Sequence, residues 1–116
     1  MKKLVSLILV FLSLIITSCK FGTTFEVENK TNLALDSLSI SNGFNTVYAH
    51  KMDKNEKISL FLNFKNNNTK SDGNFVVKYK ANNKQRKTMF GYYSNGMPSD
   101  ENVKIQIYKD TVIIGD

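Results

Sequence analysis

The sequence predicts an all-β domain made of two packed sheets, and three observations carry that prediction. Beyond residue 23, apolar and polar residues alternate with a period of two through segment after segment, as in strands with one buried face. Turn signals rich in Asn, Asp and Gly recur at intervals of roughly ten residues, the spacing of short antiparallel strands. No segment beyond residue 23 carries an apolar stripe of helical period. With 116 residues and a single proline, the chain fits one domain with a modest core.

The elements follow in order. Thr24 to Glu28 sets Phe25 and Val27 on one side and Glu26 and Glu28 on the other. Lys30-Thr31-Asn32 turns into Leu33 to Ile40, with Leu38 and Ile40 as the inward pair. Asn42-Gly43 predicts a hairpin, because both residues tolerate positive φ. The chain returns through Thr46 to His50, and Lys51 to Glu56 forms a polar link. Ile58, Leu60, Leu62 and Phe64 alternate over the best-patterned strand, and Lys65 to Asn74 is the longest loop. Phe75, Val77 and Tyr79 share a face of the next strand. Asn82-Asn83 then turns into Gln85 to Tyr93, where Thr88, Phe90 and Tyr92 share a parity. Ser94 to Ser99 breaks the pattern. Val103, Ile105 and Ile107 alternate, and Lys109-Asp110 turns into Thr111 to Ile114, with Ile113 or Ile114 facing inward. The expected architecture is an immunoglobulin-like antiparallel β-sandwich of seven to eight strands, with a small meander β-barrel as the alternative.

The first 18 residues differ from everything after them. Met1, Lys2 and Lys3 open with positive charge, Leu4 to Ile16 is uncharged and dominated by Leu, Ile, Val and Phe, and Thr17 and Ser18 are small. This is the pattern of a secretory signal peptide. The apolar run falls short of the roughly 17–25 residues that span a bilayer. The lone cysteine of the chain, Cys19, follows directly. It has no disulfide partner within the chain, and the sole histidine, His50, is far off in sequence. Ile16-Thr17-Ser18-Cys19 resembles the lipobox of bacterial lipoproteins, with Ile16 in place of the usual Leu. The resemblance implies a signal peptide over 1–18, cleaved before a diacylated Cys19, a lipidated tether over 19–23 and a β domain over 24–116. Two or more acyl chains on one residue hold a protein at a membrane far more firmly than one. Among enteric lipoproteins an Asp after the cysteine suggests inner-membrane retention. Lys20 stands there instead and no acidic cluster follows Cys19, so the resemblance implies a bacterial envelope location in the outer membrane, facing the periplasm.

Chemistry is sparse in the rest of the chain. His50, Asp53 and Glu56 lie close in sequence, but Lys51, Lys54 and Lys57 surround them and would repel a cation. A covalent mechanism needs a nucleophile, a base and an orienting group within reach, and one histidine with scattered serines does not supply them. The expected protein is therefore not an enzyme and holds no metal or cofactor. Lys78, Lys80, Lys84, Arg86 and Lys87 cluster across one predicted hairpin near Tyr79, and the net charge is +6. An exported chain meets little nucleic acid, so solvated lysines or contact with anionic lipid are the expected use.

Phe90-Gly91-Tyr92-Tyr93-Ser94-Asn95-Gly96 is the most distinctive stretch. Consecutive tyrosines on a strand face opposite ways, so one of them points outward, and Gly91 marks a bulge or a close approach. Tyr92, Tyr93, Asn95 and Met97 are the candidate partner-binding residues, since tyrosine beside a glycine turn gives large contact area for little lost entropy. The competing use of such a tyrosine is to close the end of a sandwich core, its hydroxyl bonded to backbone. Asp36-Ser37-Leu38 and Asp110-Thr111-Val112 resemble a bacterial O-glycosylation acceptor, and Asn29-Lys30-Thr31 fits the N-glycosylation sequon. The expected function is a lipid-anchored scaffold or binding module that contacts an envelope protein or glycan. The alternative is a small periplasmic inhibitor or a ligand-carrying lipoprotein with an enclosed pocket.

Overall fold

The computed structural model describes residues 21–65 and 71–115. The signal segment, Cys19 and Lys20 lie outside the described residues. Eight strands follow one another: β1 (Gly22–Asn29), β2 (Ser37–Ser41), β3 (Thr46–Ala49), β4 (Lys57–Asn63), β5 (Gly73–Ala81), β6 (Lys84–Tyr93), β7 (Asn102–Ile107) and β8 (Val112–Gly115). They form two sheets of four, in the orders β4-β1-β7-β8 and β3-β2-β5-β6. The sheets stay separate, so the architecture is a β-sandwich and not the meander barrel. One pairing departs from the antiparallel expectation: β1 and β7 run parallel, with Val27 beside Ile105. The first strand also begins at Gly22, so Gly22 and Thr23, expected in the tether, belong to the domain.

Alternation sets the core. Phe25, Val27, Leu38, Ile40, Leu62, Phe75, Val77, Ile105 and Ile107 are all buried, as their parity requires. Leu35, Met52, Phe64, Tyr79 and Tyr93 join them. Leu35 and Met52 lie outside the strands, and each accepts the other's backbone N–H, at 2.8 and 3.0 Å. This isolated bridge carries the supposedly polar link across one end of the sandwich. At the centre Phe75 stacks on Phe90 and meets Phe25 edge-on, while Phe64 meets Tyr93 edge-on at 5.2 Å. These are the offset and T-shaped geometries that aromatic quadrupoles prefer. Ile113 and Ile114, one of which was expected inside, are both exposed: Ile113 pairs with Gln106 on the outer face, and Ile114, beside buried Ile105, lies on the edge strand β8.

The turns distinguish tight hairpins from wider loops. Asn82 and Asn83 both take positive φ and join β5 to β6 as a two-residue turn, the geometry that matches strand twist. Asn42-Gly43 does close a hairpin, but over the four residues from 42 to 45, and only Gly43 has positive φ. Asn42 is buried instead, and its Oδ1 accepts the N–H of Phe44 and of Asn45. The sequon residue Asn29 is also fully buried and bonded to loop backbone, so it is not a glycan acceptor. Ser37 and Thr111 are exposed.

The sandwich has two distinct ends. At one end lie the start of β1, the end of β4 and the start of β7, where Thr23 Oγ1 donates to the Asp100 carbonyl at 2.8 Å. The second sheet contributes the 42–45 loop to this end, with Asn42 and Asn45 side-chain amides donating to the Asn63 carbonyl. The opposite end holds Asn29 to Asp36, Met52 to Glu56, the Asn82-Asn83 turn and the 108–111 turn.

Candidate functional site

The end that carries the start of β1 also carries the tyrosine pair. Strict alternation along β6 would place Phe90 and Tyr92 on the same face. The pairing slips between Gly73 and Phe75, which oppose Tyr93 and Phe90, so β6 carries one extra residue. Gly91 supplies it with φ +66°, a left-handed conformation that costs glycine little. The bulge inverts the parity of everything after it. Tyr93 turns into the core, and Tyr92 turns out to solvent, 56% exposed. Gly91 also packs closely: a Cβ there would lie 2.9 Å from Cδ2 of Phe75. The glycine therefore serves as both a bulge and a close approach.

Tyr93 is thus removed from the set of partner-contacting residues. It packs against Phe64, Phe75 and Phe44, and its hydroxyl donates to the Asn42 carbonyl. Burial pushes its phenol pKa up, which keeps it a protonated donor. This is the core-closing role of a sandwich tyrosine.

Tyr92, Asn95 and Met97 remain together on the surface. Ser94 and Met97 pair around a two-residue turn in which Asn95 and Gly96 both have positive φ, and Met97 N–H donates to the Ser94 carbonyl at 3.0 Å. Asp72 holds this small hairpin from the side. Its Oδ1 accepts the Asn95 N–H and its Oδ2 accepts the Tyr92 hydroxyl, both at 2.9 Å. Ser71 contributes its carbonyl to the Gly96 N–H, and Ser99 Oγ donates to the Tyr92 carbonyl. The Asn95 N–H, and secondly the Tyr92 hydroxyl, hold the Asp72 carboxyl below the usual carboxylate range. The same bond, viewed from Tyr92, raises its phenol pKa.

Chemically the site offers an exposed aromatic ring and a thioether beside a carboxylate, with no cluster of metal-ligating groups among the described residues. The Tyr92 ring is fixed in orientation by its own hydroxyl and leaves its face open, with the Met97 thioether exposed in the same hairpin. A pinned aromatic presents contact area with little entropy left to lose on binding. Asp72 is the residue that sequence reasoning missed. Its signal was an Asp directly before a glycine-started strand, a position suited to accepting nearby backbone N–H groups.

The other candidates are dispersed. His50 and Asp53 are exposed, Lys51 pairs with Asp53 at 3.6 Å, and Glu56 accepts the Asp53 N–H. Among the described residues, no three His, Cys, Asp or Glu side chains gather at one point. The basic cluster divides by parity: Lys78, Lys80 and Lys87 face outward from the second sheet, whereas Lys84 and Arg86 share the parity of buried Tyr79. Arg86 pairs with Asp110 at 3.7 Å.

No protein-family model and no curated protein matches the chain. Among solved structures, the NMR structure of a protein from Eubacterium rectale is similar to it, with a TM-score of 0.59 and 12% identity, over 83% of this chain and 88% of that one. At that identity the likeness establishes the fold alone, a two-sheet β-sandwich.

Proposed function

We propose that the chain is a lipid-anchored lipoprotein of the bacterial envelope whose β-sandwich is a non-catalytic binding module, contacting an envelope protein or glycan through the Tyr92–Met97 hairpin. The observation that carries this reading is where the hairpin sits. It shares the end of the sandwich with the start of β1, where Thr23 and Thr24 bond to the carbonyls of Asp100 and Glu101. Cys19 precedes Gly22 by a stretch of chain that extends at most ~10 Å. A lipid on Cys19 would therefore hold this end close to the headgroups, and a partner of Tyr92 would approach along the membrane surface. The outer membrane, with the domain in the periplasm, is the location that fits Lys20. The interlocked rings of Phe25, Phe64, Phe75, Phe90 and Tyr93 fill the interior, which favours binding on the surface over carriage of an enclosed ligand.

Two measurements test this reading. Mass spectrometry of the amino terminus from cells is expected to find acylated Cys19 as the first residue. An unmodified chain beginning at Met1, or a Cys19→Ala variant that stays membrane-bound, overturns the anchor. Crosslinking in intact cells is expected to lose its main adduct in Tyr92→Ala, and an unchanged set of adducts overturns the hairpin as the contact.

A further inference from the structure

We propose that the outer face of the β3-β2-β5-β6 sheet is a binding site for an acidic glycan, a polysaccharide carrying carboxylate or sulfate groups. The two outer faces of this sandwich are constructed in opposite ways. On the β4-β1-β7-β8 face, charges are matched across strands: Glu26 lies beside Lys104, Glu28 lies beside Lys57, and Gln106 donates to Glu28. On the other face, Lys78 lies directly opposite Lys87, and Lys80 lies opposite Gln85. None of the four strands of that sheet contains an acidic residue. Among the described residues, Lys78, Lys80 and Lys87 form no ion pair. Like charges placed directly across a strand pair destabilise the sheet, and an anionic ligand would relieve that repulsion.

The shape of the face matches the charge. Ser37, Ser39 and Ser41 recur at every second residue of β2, about 6.8 Å apart, and form a low hydroxyl floor. Tyr48 rises on one side from β3, paired with Ser39 and 67% exposed. On the other side Val76 and Lys78 of β5 lie beside Ser41 and Ser39, with Met89 and Lys87 of β6 beyond them. Two depressions, of ≈ 380 and ≈ 250 Å³, lie along this floor and share Ser39, Tyr48 and Lys78. The result is an open trough that runs with the strands. It offers short donors and acceptors for sugar hydroxyls, an aromatic face for the apolar side of a sugar ring, and ammonium groups for acid groups. Such a trough accepts an extended polymer rather than a small enclosed ligand. The site rests on the binding-module reading but not on the lipid anchor, and it lies apart from the Tyr92 hairpin.

The test measures binding of the full chain, purified in detergent, to polygalacturonate and heparin, with dextran as the neutral polymer. The acidic polymers are expected to bind and dextran is not. The Lys78→Gln/Lys87→Gln pair is expected to weaken binding by about tenfold, and Tyr48→Ala by a smaller factor. The arginine pair at the same positions is expected to retain binding, and Lys104→Gln on the opposite face is expected to leave it unchanged. Circular dichroism and thermal unfolding confirm that each variant is folded. Equal losses from Lys104→Gln and the Lys78/Lys87 pair would reduce the effect to net charge and overturn the site. So would absence of binding, or tighter lysine-dependent binding to duplex DNA or to phosphatidylglycerol vesicles. Absence of glycan binding by the unsubstituted chain, together with crosslinking that depends on Tyr92, would overturn this face alone and leave the proposed function standing.

Discussion

Tyr93 donates its hydroxyl hydrogen bond to the backbone carbonyl of Asn42, a residue 51 positions earlier in the chain. The bond spans β5 and ties the end of β6 to the loop that follows β2. The ring fills the core end against Phe64 and Phe75 while the hydroxyl satisfies a buried carbonyl. The two contributions separate by substitution. Tyr93→Phe keeps the ring and leaves the carbonyl unsatisfied, an expected loss of about 1–3 kcal/mol. Tyr93→Ala also opens a cavity and is expected to cost about 3–5 kcal/mol. Urea unfolding of both variants measures the difference, and equal midpoints for Tyr93→Phe and wild type would count against the bond.

Gly91 makes that placement of Tyr93 possible. A side chain there would adopt φ +66° and approach Phe75 to 2.9 Å. Gly91→Ala is therefore expected to destabilise the domain by about 1–3 kcal/mol. Its amide chemical shifts should change around Phe75 and Tyr92 and stay fixed around Asn29, at the opposite end. A variant with wild-type stability would mean that the bulge relaxes without penalty.

The same bulge marks the limit of what alternation reveals. The strands were legible because most have one buried and one solvated face, and period-two patterning is the direct trace of that condition; β8, with no buried residue, was marked by the Lys109-Asp110 turn before it. Parity past Gly91 was not legible, since a single inserted residue inverts every later side chain and leaves only a glycine as its sign. Leu35 and Met52 were missed for a related reason: they reach the core from irregular segments, where no period exists. Ile113 and Ile114 erred the other way: Ile113 lies on the outward parity of Gln106, and Ile114, on the inward parity of Ile105, is exposed because the sequence does not state that its strand is an edge. At the candidate site, Tyr92, Asn95 and Met97 were legible as a cluster, whereas Asp72 was not, because its contact with them exists only once β5 and β6 pair.

Asn29 is the polar counterpart of the aromatic core, at the far end of the sandwich. Its Nδ2 donates to the carbonyls of Leu33, Asp53 and Met52, and its Oδ1 accepts both the N–H and the hydroxyl of Thr31. Asn29→Ala leaves the Thr31 N–H without its acceptor and removes one of the two donors at each of the Leu33, Met52 and Asp53 carbonyls, an expected cost of about 1–3 kcal/mol. Asn29→Asp is expected to do at least as much damage at neutral pH, because a carboxylate would face carbonyl oxygens. Burial and those acceptors would raise the native pKa of that new carboxyl above its unfolded value. The folded variant then binds the extra proton, so its deficit shrinks as pH falls through the raised value. Denaturation of Asn29→Asp at acid and neutral pH checks the sign, and a deficit that grows on acidification would contradict it.

Asp72 gives the hairpin a pH dependence of the opposite sign. Its carboxyl is held below the usual range, first by the Asn95 N–H and then by the Tyr92 hydroxyl. A depressed native pKa means that the unfolded hairpin binds the proton more readily. The contribution of these bonds is then complete above the ordinary carboxylate range and disappears as pH falls through the lower native value. In an NMR titration, the Asn95 amide and the Tyr92 ring are expected to shift together, with a shared midpoint below that of a free aspartate. Tyr92→Phe should raise the midpoint only in part, because the larger influence comes from Asn95. Asp72→Asn should abolish the shared transition while leaving the buried Tyr93 resonances in place. A midpoint in the ordinary aspartate range, or an Asn95 amide that shifts independently of Tyr92, would show that Asp72 does not hold the turn and the tyrosine together.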